Sequence, residues 1–314
     1  MSAPSERWEK AVAYAHINAP WRRLFKNRTV TRNVQGTELY LPWSHRLPDY
    51  VRARPEYGQD LVGLAVALET RRGAAAAPMG VLDVGANVGD SAAQILDATS
   101  SARVLCVEAD PYYLKYLRKN VGAKPRAAIE EVLLTPNDDA WSGGATAVRK
   151  GGTTHFVASE DHESMPMLSV GKLREKHADF DDLRLVKSDT DGWDTTLVPA
   201  IAREWADAGP VLHFEFDPGM TREVAGVDPN DVWAALAGLG YARVAVWDNG
   251  GGPLGQFDVG QAAEQARILE PRPVHLGYHF WDVAVCRGDD HAARAAFDEL
   301  VPEPFSPERT ARAN

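Results

Sequence analysis

Residues 81–96 read VLDVGANVGDSAAQIL and change character at their centre. Val81–Val84 is a short apolar run of the kind that forms a buried strand, and Asp90–Leu96 has the pattern of a helix start. Between them lie Gly85, Asn87 and Gly89. Glycines permit unusual dihedral angles and leave room for a ligand to lie against the main chain. A strand, a glycine turn and a helix at the carboxyl edge of a parallel sheet form the usual ligand site of a doubly wound fold. The helix start, with Ser91 or Asp90 as its cap, offers free N–H groups there.

Outward from this turn, the chain alternates strand and helix. Strands are expected at 80–84, 103–108, 127–134, 183–189, 210–217, 241–247 and 278–286. Helices are expected between most of them, Pro111–Asn120 and Pro229–Leu239 among them. Such alternation gives a mainly parallel sheet with helices on both faces. Residues 141–158, WSGGATAVRKGGTTHFVA, break the rhythm and read as a hairpin inserted after the third strand. Asn249–Gly255 reads as a mobile glycine-rich loop after the sixth strand.

Residues 1–75 form a different lead-in. Glu6–Ala19 is expected to be helical, a hairpin centres on Gly36, and Asp60–Arg72 carries Leu61, Leu64, Ala65 and Leu68 on one helical face. The expected organisation is a lead-in over 1–75, a ligand-binding domain over 76–300 and a frayed tail over 301–314.

The 314 residues carry a net charge of −10, which argues against non-specific nucleic-acid binding. No apolar run approaches the roughly 20 residues of a membrane span. Without a basic-then-apolar start, a cytoplasmic protein is the expectation; a homo-oligomer is compatible with the size. Cys106 and Cys286 both sit in apolar strand patterns and read as reduced and structural.

The ligand class narrows at the turn. A dinucleotide site usually has Gly-x-Gly-x-x-Gly; here Asn87 stands at the second glycine, and Asp83 precedes the turn. A carboxylate there suits a cation better than a pyrophosphate, so the turn favours S-adenosylmethionine (SAM). VLCVEADP, residues 104–111, adds Glu108, an acid at the end of strand two that suits two ribose hydroxyls in either ligand class. Asp110-Pro111 then opens the next helix.

VLDVGANVGDSA (81–92), VLCVEADP (104–111), LVKSDTDGWD (185–194) and HFEFDP (213–218), in this order, resemble the FkbM-type SAM-dependent O-methyltransferases. The resemblance spans roughly residues 30–290 and includes the lead-in GTELYLPWSHRLPDYVRARPEYGQDL (36–61), which is similar to that of members in glycan and secondary-metabolite pathways. It implies a Rossmann-like class I methyltransferase sheet of seven strands, the last antiparallel, with an N-terminal helical and hairpin cap. It implies that Asp83, Gly85, Asn87 and Gly89 hold the methionine end of SAM, with Ser91 at the helix start and Glu108 on the ribose. Adenine would lie near Ala109 and the end of the third strand. Where many members have Asp-x-Glu-Gly, this chain has Asp189-Thr190-Asp191-Gly192.

Asp189, Asp191, Asp194, Glu215 and Asp217 are expected to converge at neighbouring strand ends. Crowded carboxylates raise one another's pKa unless a cation sits among them. Asp189, Glu215 and Asp191 are therefore the candidate catalytic acids and bases, and equally the candidate ligands of a Mg²⁺ ion. Asp194 reads as a helix cap and Asp217 as a turn former. Lys187 shares a strand face with Asp189. His213 and His279 read as core or rim residues, and His45, His155 and His162 are alternative bases that nothing distinguishes. Trp193, Tyr40 and His45 are the expected acceptor contacts, with Trp43 and Trp247 as further aromatic candidates. The expected reaction is methyl transfer to a hydroxyl of a sugar or secondary metabolite. The rivals are a nicotinamide-dependent oxidoreductase and a non-catalytic SAM-fold binding protein.

Overall fold

The computed structural model describes residues 24–72, 77–140, 145–150, 153–158, 165–262, 269 and 280–305. The expected helix at 6–19, His162, His279, the junction residues 73–76 and the end of the tail lie outside the described residues. An antiparallel hairpin comes first, β1 (Thr29–Val34) and β2 (Thr37–Pro42), turning at Gln35 and Gly36. The helices Leu47–Ala53 and Gln59–Arg72 follow.

The central strands are β3 (Gly80–Val84), β4 (Arg103–Val107) and β5 (Ala127–Glu130). Next come β6 (Leu133–Thr135), β7 (Ala145–Lys150), β8 (Thr153–Ala158) and β9 (Met167–Ser169). The last are β10 (Leu183–Ser188), β11 (Val211–Phe216), β12 (Tyr241–Asp248), β13 (Pro253–Asp258) and β14 (Trp281–Arg287). Eight of them form one sheet in the order β13-β12-β14-β11-β10-β3-β4-β5. β5, β4, β3, β10 and β11 are mutually parallel, and β14 runs antiparallel between β11 and β12. This is the Rossmann-like class I methyltransferase arrangement: a mostly parallel sheet closed by an antiparallel last strand, with order reversing between β3 and β10. β13 extends it by an eighth, edge strand.

Two apolar clusters cover the two sheet faces. The period-2 alternation of strands decides the division: Val81 faces one cluster, Leu82 and Val84 the other. The helix Gln59–Arg72 buries Leu61, Leu64, Ala65 and Leu68 against the helices Asp90–Ala98 and His291–Leu300. Each fully buried leucine contributes roughly 1.5–3 kcal/mol, so the lead-in is fastened into the same core as the sheet. Helix Pro111–Asn120 begins as expected: Asp110 accepts from the Tyr112 amide at 2.8 Å and proline occupies the first turn.

Three expectations need correction. The third strand is not continuous over 127–134. It ends at Glu130, which Lys176 and His177 hold by hydrogen bonds, and the chain continues as β6, paired with β9 off the main sheet. Asn249–Gly255 is not a loop throughout, because Pro253–Gly255 already belong to β13. The Asp248 carboxylate accepts from the amides of Gly250 (2.8 Å) and Gly252 (2.9 Å), making a tight turn into β13. Neither Ser91 nor Asp90 is the helix cap residue; that position is Gly89, in the left-handed region with no side-chain cap. The inserted hairpin is present as β7–β8.

Candidate functional site

The glycines of the turn answer to the protein's own packing, Gly85 to main chain and Gly89 to a side chain. Gly85 has φ +72°, and a Cβ there would lie 2.0 Å from the carbonyl oxygen of Asp189. A Cβ on Gly89 (φ +81°) would meet Leu117 at 2.6 Å. The turn is thus drawn tight against the end of β10 and the helix Pro111–Asn120, and Asn87, at φ 51°, is the residue left on its crest.

Two clefts open on either side of this turn. The first, about 760 Å³, lies over the ends of β3, β4 and β10. Val84, Val107, Val132 and Leu134 give it apolar walls, while Glu108, Asp189 and Asp191 supply carboxylates. The Glu108 carboxylate accepts from the Asn87 amide at 2.8 Å and from the Asp110 amide at 2.6 Å, so its position is fixed by two main-chain donors. Burial pushes its pKa up to about 7. Ala109 lines the same cleft beside residues 132–134. The β7–β8 hairpin reaches over it: Thr154 donates to Asp110 at 2.6 Å, and Phe156 joins the lining.

The second cleft, about 1070 Å³, lies between the sheet and the lead-in. Gly85, Asn87 and Asp189 border both clefts. His45, Tyr50, Tyr57 and Asp60 come from the lead-in, Ser91 from the helix start, Lys187, His213 and Glu215 from the sheet, and Asp282 from β14. His45 Nε2 lies 3.3 Å from Asn87 Oδ1, and burial lowers the imidazole pKa to about 4, so this histidine is neutral above that pH.

The five acids expected to converge lie near enough to act on one another's charge, but they divide between the two clefts. Asp189, half-exposed, faces both clefts; Asp191 faces the first and Glu215 the second. Asp194 is buried and accepts from Ser188 Oγ at 2.6 Å and from Thr190 Oγ1 at 2.9 Å, clamping the 188–190 segment rather than capping its own helix. Asp217 accepts from the Met220 amide at 2.8 Å, the turn role expected of it. Burial, then the charges of Asp189 and Asp194, push Asp191 up to about 7. Among the described residues no three His, Cys, Asp or Glu side chains gather as metal ligands, so Asp189, Asp191 and Glu215 do not fit as a Mg²⁺ set.

Other assignments move. Asp83 is fully buried and lines neither cleft; Lys187 Nζ lies 3.1 Å from its Oδ1 and also donates to the Gly85 carbonyl at 2.9 Å. Asp83 therefore holds the turn through Lys187 and is not placed to touch a ligand. Tyr40 is 40 % exposed, faces Lys119 and lines neither cleft. Trp193 lines the first cleft, its Nε1 donating to the Phe156 carbonyl at 3.3 Å. Trp247 is buried beside His213, and Trp43 packs with Phe25 and Arg28. His213 is more than a core residue. Its Nε2 lies 2.7 Å from Asp60 Oδ2, and both line the second cleft. The sequence signal was His213 and Glu215 sharing one strand face, but the partner lies 153 residues away.

No family model matches the chain, and no curated protein matches it. Among solved structures it is similar to an O-methyltransferase from Bacillus cereus in complex with SAH (12 % identity, 73 % of this chain and 81 % of that one, TM-score 0.41). It is also similar to a putative caffeoyl-CoA O-methyltransferase from Staphylococcus aureus (8 %, 87 % and 91 %, 0.39). A third is precorrin-6y C5,15-methyltransferase from Geobacter metallireducens (13 %, 71 % and 87 %, 0.37). Likeness at this level does not bear on what this chain binds. No described helix is long and apolar enough to cross a membrane.

Proposed function

We propose that the chain is a SAM-dependent methyltransferase that moves a methyl group to a hydroxyl of a small acceptor, a sugar or secondary metabolite, as its resemblance to FkbM-type enzymes suggests. The observation that carries the reading is Glu108. Its carboxylate is aimed into an apolar-walled cleft at the β4 tip, braced by two main-chain amides. Such a cleft suits a nucleoside: the carboxylate accepts from two ribose hydroxyls, and Ala109, Val132 and Leu134 offer an apolar slot for the base.

The methionine end would cross Gly85 and Asn87 towards the second cleft, where Asp189 would meet its ammonium. SAM, when bound, supplies an electrophilic methyl. The chain's own task is alignment, which supplies roughly 7–11 kcal/mol when donor and acceptor are held in line. Asp189, which borders both clefts, would orient the acceptor hydroxyl and receive its proton. Asp191 lies on the nucleoside side. The β7–β8 hairpin over the first cleft and the lead-in over the second exclude water.

Incubation with methyl-labelled SAM and a panel of glycans and pathway intermediates, followed by mass spectrometry, tests the reaction. A labelled O-methyl product is expected. Product formation only with NAD(P)H, accompanied by a two-hydrogen mass change, would replace this reading with an oxidoreductase.

A further inference from the structure

The carboxylates of this acidic chain avoid one of its faces. No Asp or Glu occurs from Lys10 to Thr37, nor again from Pro111 to Ile129. The fold lays the first hairpin against the helix Pro111–Asn120. Asn120 accepts from the Tyr40 amide at 2.7 Å and donates to the Tyr40 carbonyl at 3.0 Å, and Tyr112 Oη donates to the Lys26 carbonyl at 3.4 Å. Lys26, Arg28 and Arg32 from the first stretch and Lys115 and Lys119 from the second are all exposed. None of the five pairs with a carboxylate among the described residues. Glu131 and Asp97, at the margin of this face, are taken by Arg118 and Lys124. Glu38, the one acid on β1 and β2, stands opposite Asn33 at the turn end of the hairpin, roughly 17 Å along the strand from Trp43.

Four of the cations rest on aromatic rings instead. Arg28 and Arg32 lie 5.7 and 5.8 Å from the Trp43 ring centre. Lys115 Nζ lies 4.3 Å from the ring centre of Tyr112 and 4.8 Å from that of Tyr116, and Lys119 Nζ lies 5.9 Å from that of Tyr40. Such contacts hold a cation in place without neutralising it. Beside them stand two adjacent exposed apolar side chains, Leu24 (69 %) and Phe25 (38 %), with Phe25 packed on the Trp43 ring. Cations interleaved with exposed apolar and aromatic side chains have the composition of a membrane-interface surface.

We propose that this face docks the chain onto an anionic phospholipid surface, with Leu24 and Phe25 at the headgroup boundary and the five cations among the phosphates. A single-stranded nucleic acid fits less well. It needs open ring faces on which bases stack, and here Arg28, Arg32, Lys115 and Lys119 lie over those rings. The net charge of −10 on the whole chain does not forbid the contact. At about 0.1 M salt the Debye length is about 10 Å, so the lipid surface meets the nearest cations and is screened from acids on the far faces. The inference is independent of the methyltransferase reading, since docking needs neither cofactor nor acceptor.

Co-sedimentation of the full chain with large unilamellar vesicles tests it, using phosphatidylcholine alone and an equal mixture with phosphatidylglycerol. Binding to the mixed vesicles is expected at low salt, at least about tenfold tighter than to phosphatidylcholine alone. About 1 M salt, where the Debye length falls to about 3 Å, is expected to release most of the protein. Each cation near such a surface strengthens binding roughly fivefold, so R28Q/R32Q and K115Q/K119Q are each expected to bind about 25-fold more weakly. L24S/F25S is expected to weaken binding and to leave the remainder more sensitive to salt. K172Q/R203Q removes the same charge from the helices Val170–Lys176 and Asp194–Glu204, which pack on the opposite face of the sheet, and is expected to bind like wild type. Absent binding, equal binding to the two vesicle types, wild-type binding by R28Q/R32Q and K115Q/K119Q, or an equal loss in K172Q/R203Q would overturn the proposal. Binding of a single-stranded oligothymidylate that the same variants abolish, with none to vesicles, would assign the face to nucleic acid instead.

Discussion

Lys187 Nζ sits 3.1 Å from Asp83 Oδ1 beneath the glycine turn, and the pair joins neighbouring strands at one register step. Burial opposes the ammonium, but Asp83, Asp189 and Asp90 outweigh it and raise the Lys187 pKa. The same ammonium donates to the Gly85 carbonyl, so one buried ion pair fixes where the turn stands relative to β10.

Removing one member strands the other. K187M leaves the Asp83 carboxylate buried and uncompensated, which costs about 3–5 kcal/mol. The double variant D83N/K187M is expected to recover much of that. Urea unfolding of the four proteins in this cycle measures the coupling, and equal stability of K187M and wild type would contradict it.

Gly85 is a packing requirement. G85A places a methyl 2.0 Å from a carbonyl oxygen and forces alanine into the left-handed region. The conformational term alone is about 1–2 kcal/mol, so the expected loss exceeds it, with the turn displaced. G36A, where no atom lies within 4 Å, carries only the conformational term. Thermal unfolding of the two variants distinguishes the causes.

Glu108 gives nucleoside binding a pH dependence. Its folded pKa is raised to about 7 from 4.5, so between those values the folded protein holds the extra proton. The stabilising contribution is full below the unfolded value and fades as pH rises through about 7. Binding runs the opposite way, because two ribose hydroxyls are best accepted by the ionised form. S-adenosylhomocysteine affinity is expected to increase from pH 6 to pH 8, values roughly one unit either side of this pKa. It should be flat in E108Q; a flat wild-type profile would contradict the ribose assignment.

Tyr40 lies outside both clefts, with its ring beside Lys119. Y40A is expected to leave kcat/KM within about twofold of wild type, whereas W193A, in the first cleft, lowers it. Steady-state assays with a labelled methyl donor make the comparison.

The sheet was legible because strands and helices announce themselves by period, and because Asp110-Pro111 marks a helix start chemically. The antiparallel last strand followed from the resemblance, not from spacing. What escaped was set by tertiary partners. Asp83 looked like a ligand group, but whether an acid on a strand meets solvent or Lys187 depends on the neighbouring register. The five acids looked convergent because their strand ends are adjacent. Alternation then sends Glu215 to one face, while Asp191, at positive φ, turns to the other cleft. The His213–Asp60 contact joins two elements far apart in sequence, and no local pattern encodes it. Asn249–Gly255 resembled a loop throughout because glycines alone do not reveal that Asp248 binds their amides.

Calorimetric titration of S-adenosylhomocysteine into wild type and E108A tests the nucleoside site most directly. One molecule per chain is expected to bind, with E108A weaker by at least about tenfold, the loss of a charge-assisted hydrogen-bond acceptor. No heat of binding to the wild type, or equal affinity in E108A, would contradict the assignment of this cleft to SAM.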